Sequence, residues 1–342
     1  LKTLIPAAVS NSSLAQMWQD PKIRGWIAQA LVVFITVLAI YEIAGNTTEN
    51  LQRANIASGF GFLNNPSGFA INFTLIEYSP QSSYFRAFVV GVLNTLLISA
   101  IGIVLATLIG FSVGTARLSQ NWLLARLAGT FVETLRNTPL LLQLFFWYFV
   151  VLNLLPSQQE SYSLFDVVFL NNRGLFLPSL IWSTWVIEVP VLTGFQFEGG
   201  VNIIPEFIAL LLALSIYTGA FIAEIVRAGI QSVPKGQVEA ARALGLRPGV
   251  IMRKVIRPQA MRVIIPPLTS QYLNLTKNSS LAVAIAYPDL VLVFANTALS
   301  QIGQAVEIVI MTMAVYLFIS LATSLFMNWY NARMRFKERG NE

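Results

Sequence analysis

Long apolar runs separated by short polar intervals dominate the chain. A helix needs about 20 largely apolar residues to cross a bilayer. Five stretches meet that requirement: Trp26–Tyr41 extended by Ile43 and Ala44, then about 87–113, 138–155, 206–227 and 306–329. A sixth, about 263–287, is less uniform because it holds Pro266, Pro267, Asn274 and Lys277. Gly110 and Gly114 form a small-xxx-small pair near the end of the second run, where two helix backbones can approach closely. Leu177–Thr193 is a tempting seventh helix, but Pro178, Pro190 and Glu188 interrupt it and β-branched residues fill it. It is read as an extended or interfacial insertion. The interval 45–83, rich in Asn, Gly, Ser and Pro, is read as a structured or semi-ordered loop. The pattern predicts an all-α polytopic membrane protein with about six spans.

The predicted organisation follows from these runs. Residues 1–44 are an N-terminal segment with the first span, and 45–86 a loop. Residues 87–330 are the main transmembrane domain, with an insertion at 156–203 and a loop at 229–262. Residues 331–342 form a basic tail. Residues 1–25 lack a continuous apolar stretch ending at a small-residue cleavage site, so no signal peptide is expected there. Leu1 is not an initiator Met, so trimming or processing is expected.

Charge fixes the direction. Six spans with both termini on one side put 18 of the 22 Lys and Arg residues on that side, including Lys2, Lys22, Arg24, Arg335, Lys337 and Arg339. Arg53, Arg86 and Arg173 fall on the other, and Lys277 falls within a span. By the positive-inside rule both termini are cytoplasmic. Only 11% of the 342 residues are charged and 55% are hydrophobic, which excludes an ordinary soluble enzyme. The chain has no His and no Cys, which removes thiol nucleophiles, Cys/His metal sites and imidazole relays. Topology explains the basic residues without a nucleic acid.

The loop after the fourth span is over thirty residues long, against about 4–6 for most connections. Pro234 and Gly236 open it, Gln237–Leu244 reads as a short helix with an apolar face of Val238, Ala241 and Leu244, and Gly245 reads as its stop. A second amphipathic helix is expected at about 250–262. Polar side chains at membrane depth are costly and tend to face cavities or bundle interiors. The substrate-path candidates are Asn94, Thr138, Gln143, Asn274, Lys277, Asn278 and Ser279, with Thr95 and Asn137 beside them. Each also reads as interhelical glue. Arg136 reads as a headgroup or interhelix partner, Glu224 with Arg227 as an ion pair, and Pro139 as a point where the helix loosens.

Glu239-Ala240-Ala241, then Gly245, then Pro258 resembles the loop motif E-A-A-x3-G-x9-I-x-L-P of ABC importer permeases. Val255 and Arg257 depart from its Ile and Leu. Arg136-Asn137-Thr138-Pro139-Leu140-Leu141 with Gln143, Lys277-Asn278-Ser279-Ser280-Leu281, and Ser232–Gln237 resemble runs of the polar-amino-acid permeases. Phe60–Phe69 resembles the general L-amino-acid subfamily. The resemblance implies a type I importer permease in a bacterial inner membrane, moving polar amino acids by alternating access. It implies a periplasmic amino-acid-binding protein, a second permease and two ATPase subunits as partners. ATP and magnesium would be bound by the ATPase and no cofactor by this chain, which has no Gly-Lys pair. Glu239, Ala240, Ala241, Arg242, Gly245 and Pro258 would couple to that ATPase. An ion-coupled carrier is the alternative. Many relatives carry Asp where Asn278 stands, so the resemblance also implies a preference for neutral or acidic amino acids, or a broad one.

Overall fold

The computed structural model describes residues 21–53, 58–181 and 185–334. Lys2, Arg335, Lys337 and Arg339 lie outside the described residues. The chain separates into two units, 1–59 and 60–342. In the first unit, helix α1 (Pro21–Arg53) has 33 residues, none of them buried. It runs nine residues beyond Ala44, through a stretch expected to be loop. Thr47 and Thr48 satisfy their hydroxyls within this polar end by bonding back to the carbonyls of Ile43 and Ala44.

The second unit is mostly helical. Its helices are α2 (Tyr84–Ala116), α3 (Trp122–Asn137), α4 (Leu140–Phe145), α5 (Pro205–Gln231), α6 (Lys235–Ala243), α7 (Pro248–Ile251), α8 (Arg257–Asn278), α9 (Leu299–Ile302) and α10 (Ala305–Met334). Helices α1, α2, α5 and α10 are long and apolar enough to cross a membrane. Helix α3 and the run Leu140–Leu154 (α4 with the π-turn 146–151 and the 3-10 turn 152–154) pass the same test as a pair bent by 107°, a broken span or a re-entrant loop, and taken as one span they are the third crossing in chain order. The run 138–155 of the hydropathy pattern is the second limb of this pair, Leu140–Leu154, and the bend falls at its start, just after Asn137. The sixth, α8, is helical but too polar to meet the same apolar criterion. The expected helix at 250–262 is not separate: α7, the π-turn 252–256 and α8 follow without a break. Pro258 follows directly on the π-turn 252–256, where the Arg257 N–H bonds the Met252 carbonyl, so the proline is carried within the continuous helix at a local widening.

Glycines make the central contact. A Cβ at Gly110 would overlap the Ile222 side chain, and one at Gly114 would lie 2.6 Å from the Ala223 carbonyl. From the facing helix, a Cβ at Gly219 would lie 2.8 Å from Ile109 Cγ2. Helices α2 and α5 thus touch backbone to backbone, as the small-residue spacing predicts. At the basic end of this contact, Glu224 on α5 bonds both Arg117, which caps α2, and Arg227 one turn on. The side chains are only 15–28% exposed. Removing the shared carboxylate leaves two adjacent guanidiniums. Glu224→Gln is expected to cost about 1–3 kcal/mol, read as a lower unfolding midpoint in detergent. An unchanged midpoint would show that the triad holds nothing together.

The insertion 156–203 is β-structured. Its strands are β1 (Tyr162–Leu164), β2 (Val168–Asn171), β3 (Gly174–Leu177), β4 (Ser179–Ile181), β5 (Val186–Glu188), β6 (Val191–Thr193), β7 (Gln196–Glu198) and β8 (Val201–Ile203). An antiparallel sheet runs β1-β2-β3-β8, with β4-β5 and β6-β7 as separate hairpins. Phe169 and Phe176 flank Phe197 at centroid distances of 4.8 and 4.7 Å, giving the insertion a small core of its own. The described residues of Leu177–Thr193 carry the three short strands β4, β5 and β6 and no helix, as the prolines and β-branched residues predict. The preceding loop tucks Phe62 against Tyr84 and Phe294.

Candidate functional site

The end of α5 and the start of α8 hold α6 between them. Val233 and Ala241 are buried, and Val238 packs on the main hydrophobic cluster. Gln259 donates to Gln237, tying α6 to α8. The inward face is therefore Val238 and Ala241, while Glu239, Ala240 and Arg242 are exposed. Ala241 anchors the helix to its own chain, so the outward surface is made by its neighbours. Leu244, expected on the apolar face, is 80% exposed and points away from the body.

Gly245 ends α6 in a Schellman turn. Its N–H bonds the Arg242 carbonyl at 2.9 Å and the Leu246 N–H bonds the Ala241 carbonyl at 3.2 Å. Gly245 has φ +73°, a region where a side chain is strained, yet a Cβ there would meet nothing within 4 Å. The turn is open on its outer side. Helix α6 is thus a short helix presented on a fixed base, with an acid, a base and a small residue outward.

The polar residues at membrane depth sort into fastenings and a stripe. Asn94 is buried and donates to the carbonyls of Phe73 (2.9 Å) and Pro288 (2.8 Å). Thr95 accepts from the Leu290 N–H, and Tyr287 donates to the Asn94 carbonyl. These bonds fix the 286–290 turn to α2. Gln143 braces the bend between α3 and α4. Pro139 has no N–H to give Leu135, and the Gln143 amide donates to that carbonyl at 2.8 Å and to the Thr138 carbonyl at 3.0 Å. Thr138 turns its hydroxyl back to Thr134, and Arg136 lies over the Phe221 ring at 5.1 Å, an interhelix partner. Ser279 is buried and bonded to Thr276.

Asn274 and Lys277 remain exposed, three residues apart on one face of α8, with Asn278 half-buried beside them. The structure brings these three together. It employs Asn94, Gln143 and Ser279 elsewhere. Asp289 is a buried carboxylate that sequence reasoning passed over. It accepts from the Leu292 N–H at 2.8 Å and lies 3.4 Å from the Tyr316 hydroxyl, capping the π-turn 291–298. The Pro-Asp pair before an apolar run was its signal.

Comparison with known proteins matches this arrangement. Residues 102–336 match the family described as binding-protein-dependent transport system inner membrane component. A putative amino-acid ABC transporter permease protein, YhdX of Escherichia coli, is 48% identical over 94% of this chain and 96% of its own. The general L-amino acid transport system permease protein AapQ of Rhizobium johnstonii is 47% identical over 94% of each. Among solved structures, an amino acid ABC transporter crystallised with histidines superposes with a TM-score of 0.55, at 28% identity, over 73% of this chain and 95% of that one. The multi-pass helical architecture accords with these matches, and the chain belongs to the family of binding-protein-dependent transport system inner membrane components.

Proposed function

We propose that this chain is the permease of an ATP-driven importer of polar L-amino acids, working by alternating access. The observation that carries the reading is α6: exposed Glu239, Ala240 and Arg242 stand on a base fixed by Val238, Ala241 and Gln237. That arrangement suits transmission of force from a separate ATPase subunit, which would bind ATP and magnesium. Two ATPase copies, a second and related permease, and a periplasmic binding protein complete the assembly. Both termini and α6 face the cytoplasm, in keeping with the seven cations between 235 and 262. The amino-acid substrate class rests on the names of the relatives and on the polar stripe of α8.

The test is uptake of labelled amino acids by proteoliposomes holding the assembled complex. Uptake is expected to need ATP inside the ATPase compartment and to survive ionophores. Uptake that ionophores abolish and ATP does not drive would make the protein an ion-coupled carrier.

Selectivity gives a second expected result. An amide at 278 beside Lys277 disfavours a cationic side chain, whereas a carboxylate would attract one. Asn278→Asp is expected to raise the ratio of arginine to glutamate uptake about tenfold. An unchanged ratio places the selecting contacts elsewhere, for instance in the partner permease.

A further inference from the structure

A cavity of about 1050 Å³ lies between the β-insertion and the adjoining ends of the third crossing and α5. Tyr148 and Asn153 line it from the third crossing, Glu206 from the first turn of α5, and Arg173 and Asn202 from the sheet. Its remaining wall is mostly amide and aromatic side chains. Neither charge is neutralised. Arg173 forms no ion pair with any described residue, and Glu206 accepts only the Tyr148 hydroxyl, at 3.1 Å. A cation and an anion that line one cavity without pairing to other charges are complementary to a small molecule carrying both signs.

The position of Arg173 is built into the backbone. It lies in the two-residue turn joining β2 to β3, between Asn171 and Gly174. Asn171 is buried, donates to Ser161 Oγ at 3.0 Å and accepts the Arg173 N–H at 2.8 Å. The next residue, Asn172, donates its N–H to the Pro156 carbonyl at the end of the third crossing. Gly174 has φ +129°, and a Cβ there would overlap the Ile203 carbonyl on β8, the strand that leads into α5. The turn is thereby held against the two ends of the insertion, Pro156 just after the third crossing and β8 just before α5. None of these bonds uses the Arg173 side chain.

We infer that this cavity is an extracytoplasmic vestibule site for a zwitterionic α-amino acid, with Arg173 on the carboxylate and Glu206 on the ammonium group. The assignment rests on the amino-acid reading above and adds a second stopping place, outside the α8 stripe. The amide wall suits a neutral polar side chain, so L-glutamine is the probe.

Binding of labelled L-glutamine to the purified complex in nanodiscs, without binding protein, is compared with Arg173→Gln and Glu206→Gln. Each is expected to weaken it about tenfold or more. Because the chain has no cysteine, Asn202→Cys gives a reading that needs neither charge variant. L-Glutamine at about four times its dissociation constant is expected to slow modification of that thiol by a sulfonated methanethiosulfonate about fivefold. Unchanged affinity in either charge variant, or no protection at 202, overturns the assignment. If the wild-type complex still takes up amino acids with ATP, the proposed function stands without the vestibule. A wild-type complex that takes up no amino acid fails the functional reading itself.

Discussion

Gly245→Asp is expected to abolish ATP-driven uptake while the protein still inserts in the membrane and assembles at wild-type levels. The reason is the combination of an open surface and a strained backbone. At φ +73° Gly is preferred, but Asp and Asn are the side chains that tolerate this region best, so the turn itself loses only about 1 kcal/mol. Within this chain the new carboxylate meets nothing. Its effect must arise where another protein comes close to the turn, and a buried unpaired charge at such a contact costs several kcal/mol. Gly245→Asn is the discriminating control: it keeps the left-handed turn and adds bulk without charge. If docking is the cause, Asn is expected to impair uptake by about tenfold or more and Asp to eliminate it. Glu239→Lys, on the same exposed face, is expected to act like Asp. Normal uptake by Gly245→Asp or Glu239→Lys would remove α6 from the coupling role.

The second large effect is on assembly. Gly110→Leu is expected to reduce recovered, folded protein about tenfold or more, because the α2–α5 contact has no room even for a methyl group. Ile222 and the Gly219 carbonyl already occupy that space. In a bilayer no hydrophobic gain offsets a poor fit, since lipid tails are as apolar as Leu. Gly129→Ala on α3 is the matched control: its Cβ meets nothing within 4 Å, and protein levels are expected to equal wild type. Equal recovery of Gly110→Leu and wild type would mean that the helices part without penalty. The measurement is the monodisperse peak in detergent, normalised to total membrane protein.

These two sites were legible because each depends on local chemistry. A glycine after a short helix, and glycines four apart on an apolar helix, carry their reason in the sequence itself. Gln143 shows where that stops. The Thr-Pro and Gln spacing was visible, and read as a polar path. The missing Pro139 N–H and the carbonyl it would have served become apparent only once the 107° bend is seen. Asn94 depends on Pro288, 194 residues away, a partner no pattern in the chain announces. The insertion resisted for another reason. Strands of three or four residues are too short to show an alternating period, and only the prolines, Glu188 and the β-branched residues of 177–193 spoke against a helix. The merging of the 250–262 segment with α8 was not legible, because the π-turn 252–256 that carries the helix past Pro258 leaves no signal in the pattern.

The continuity of α8 with α7 and the π-turn 252–256 has a mechanical consequence. At about 1.5 Å per residue, its 22 residues form a rod about 33 Å long. Tilting such a rod about its middle by roughly 10° moves its two ends about 3 Å in opposite directions. The end fastened to α6 by Gln259 and the end that carries Asn274 and Lys277 would therefore move as opposite arms of one lever. Pro266 and Pro267 lie near the fulcrum, where the rod has given up two of its own hydrogen bonds. Under the coupling proposed for α6, a small pull at one end of α8 would thus displace the other, with no part of the chain having to unfold.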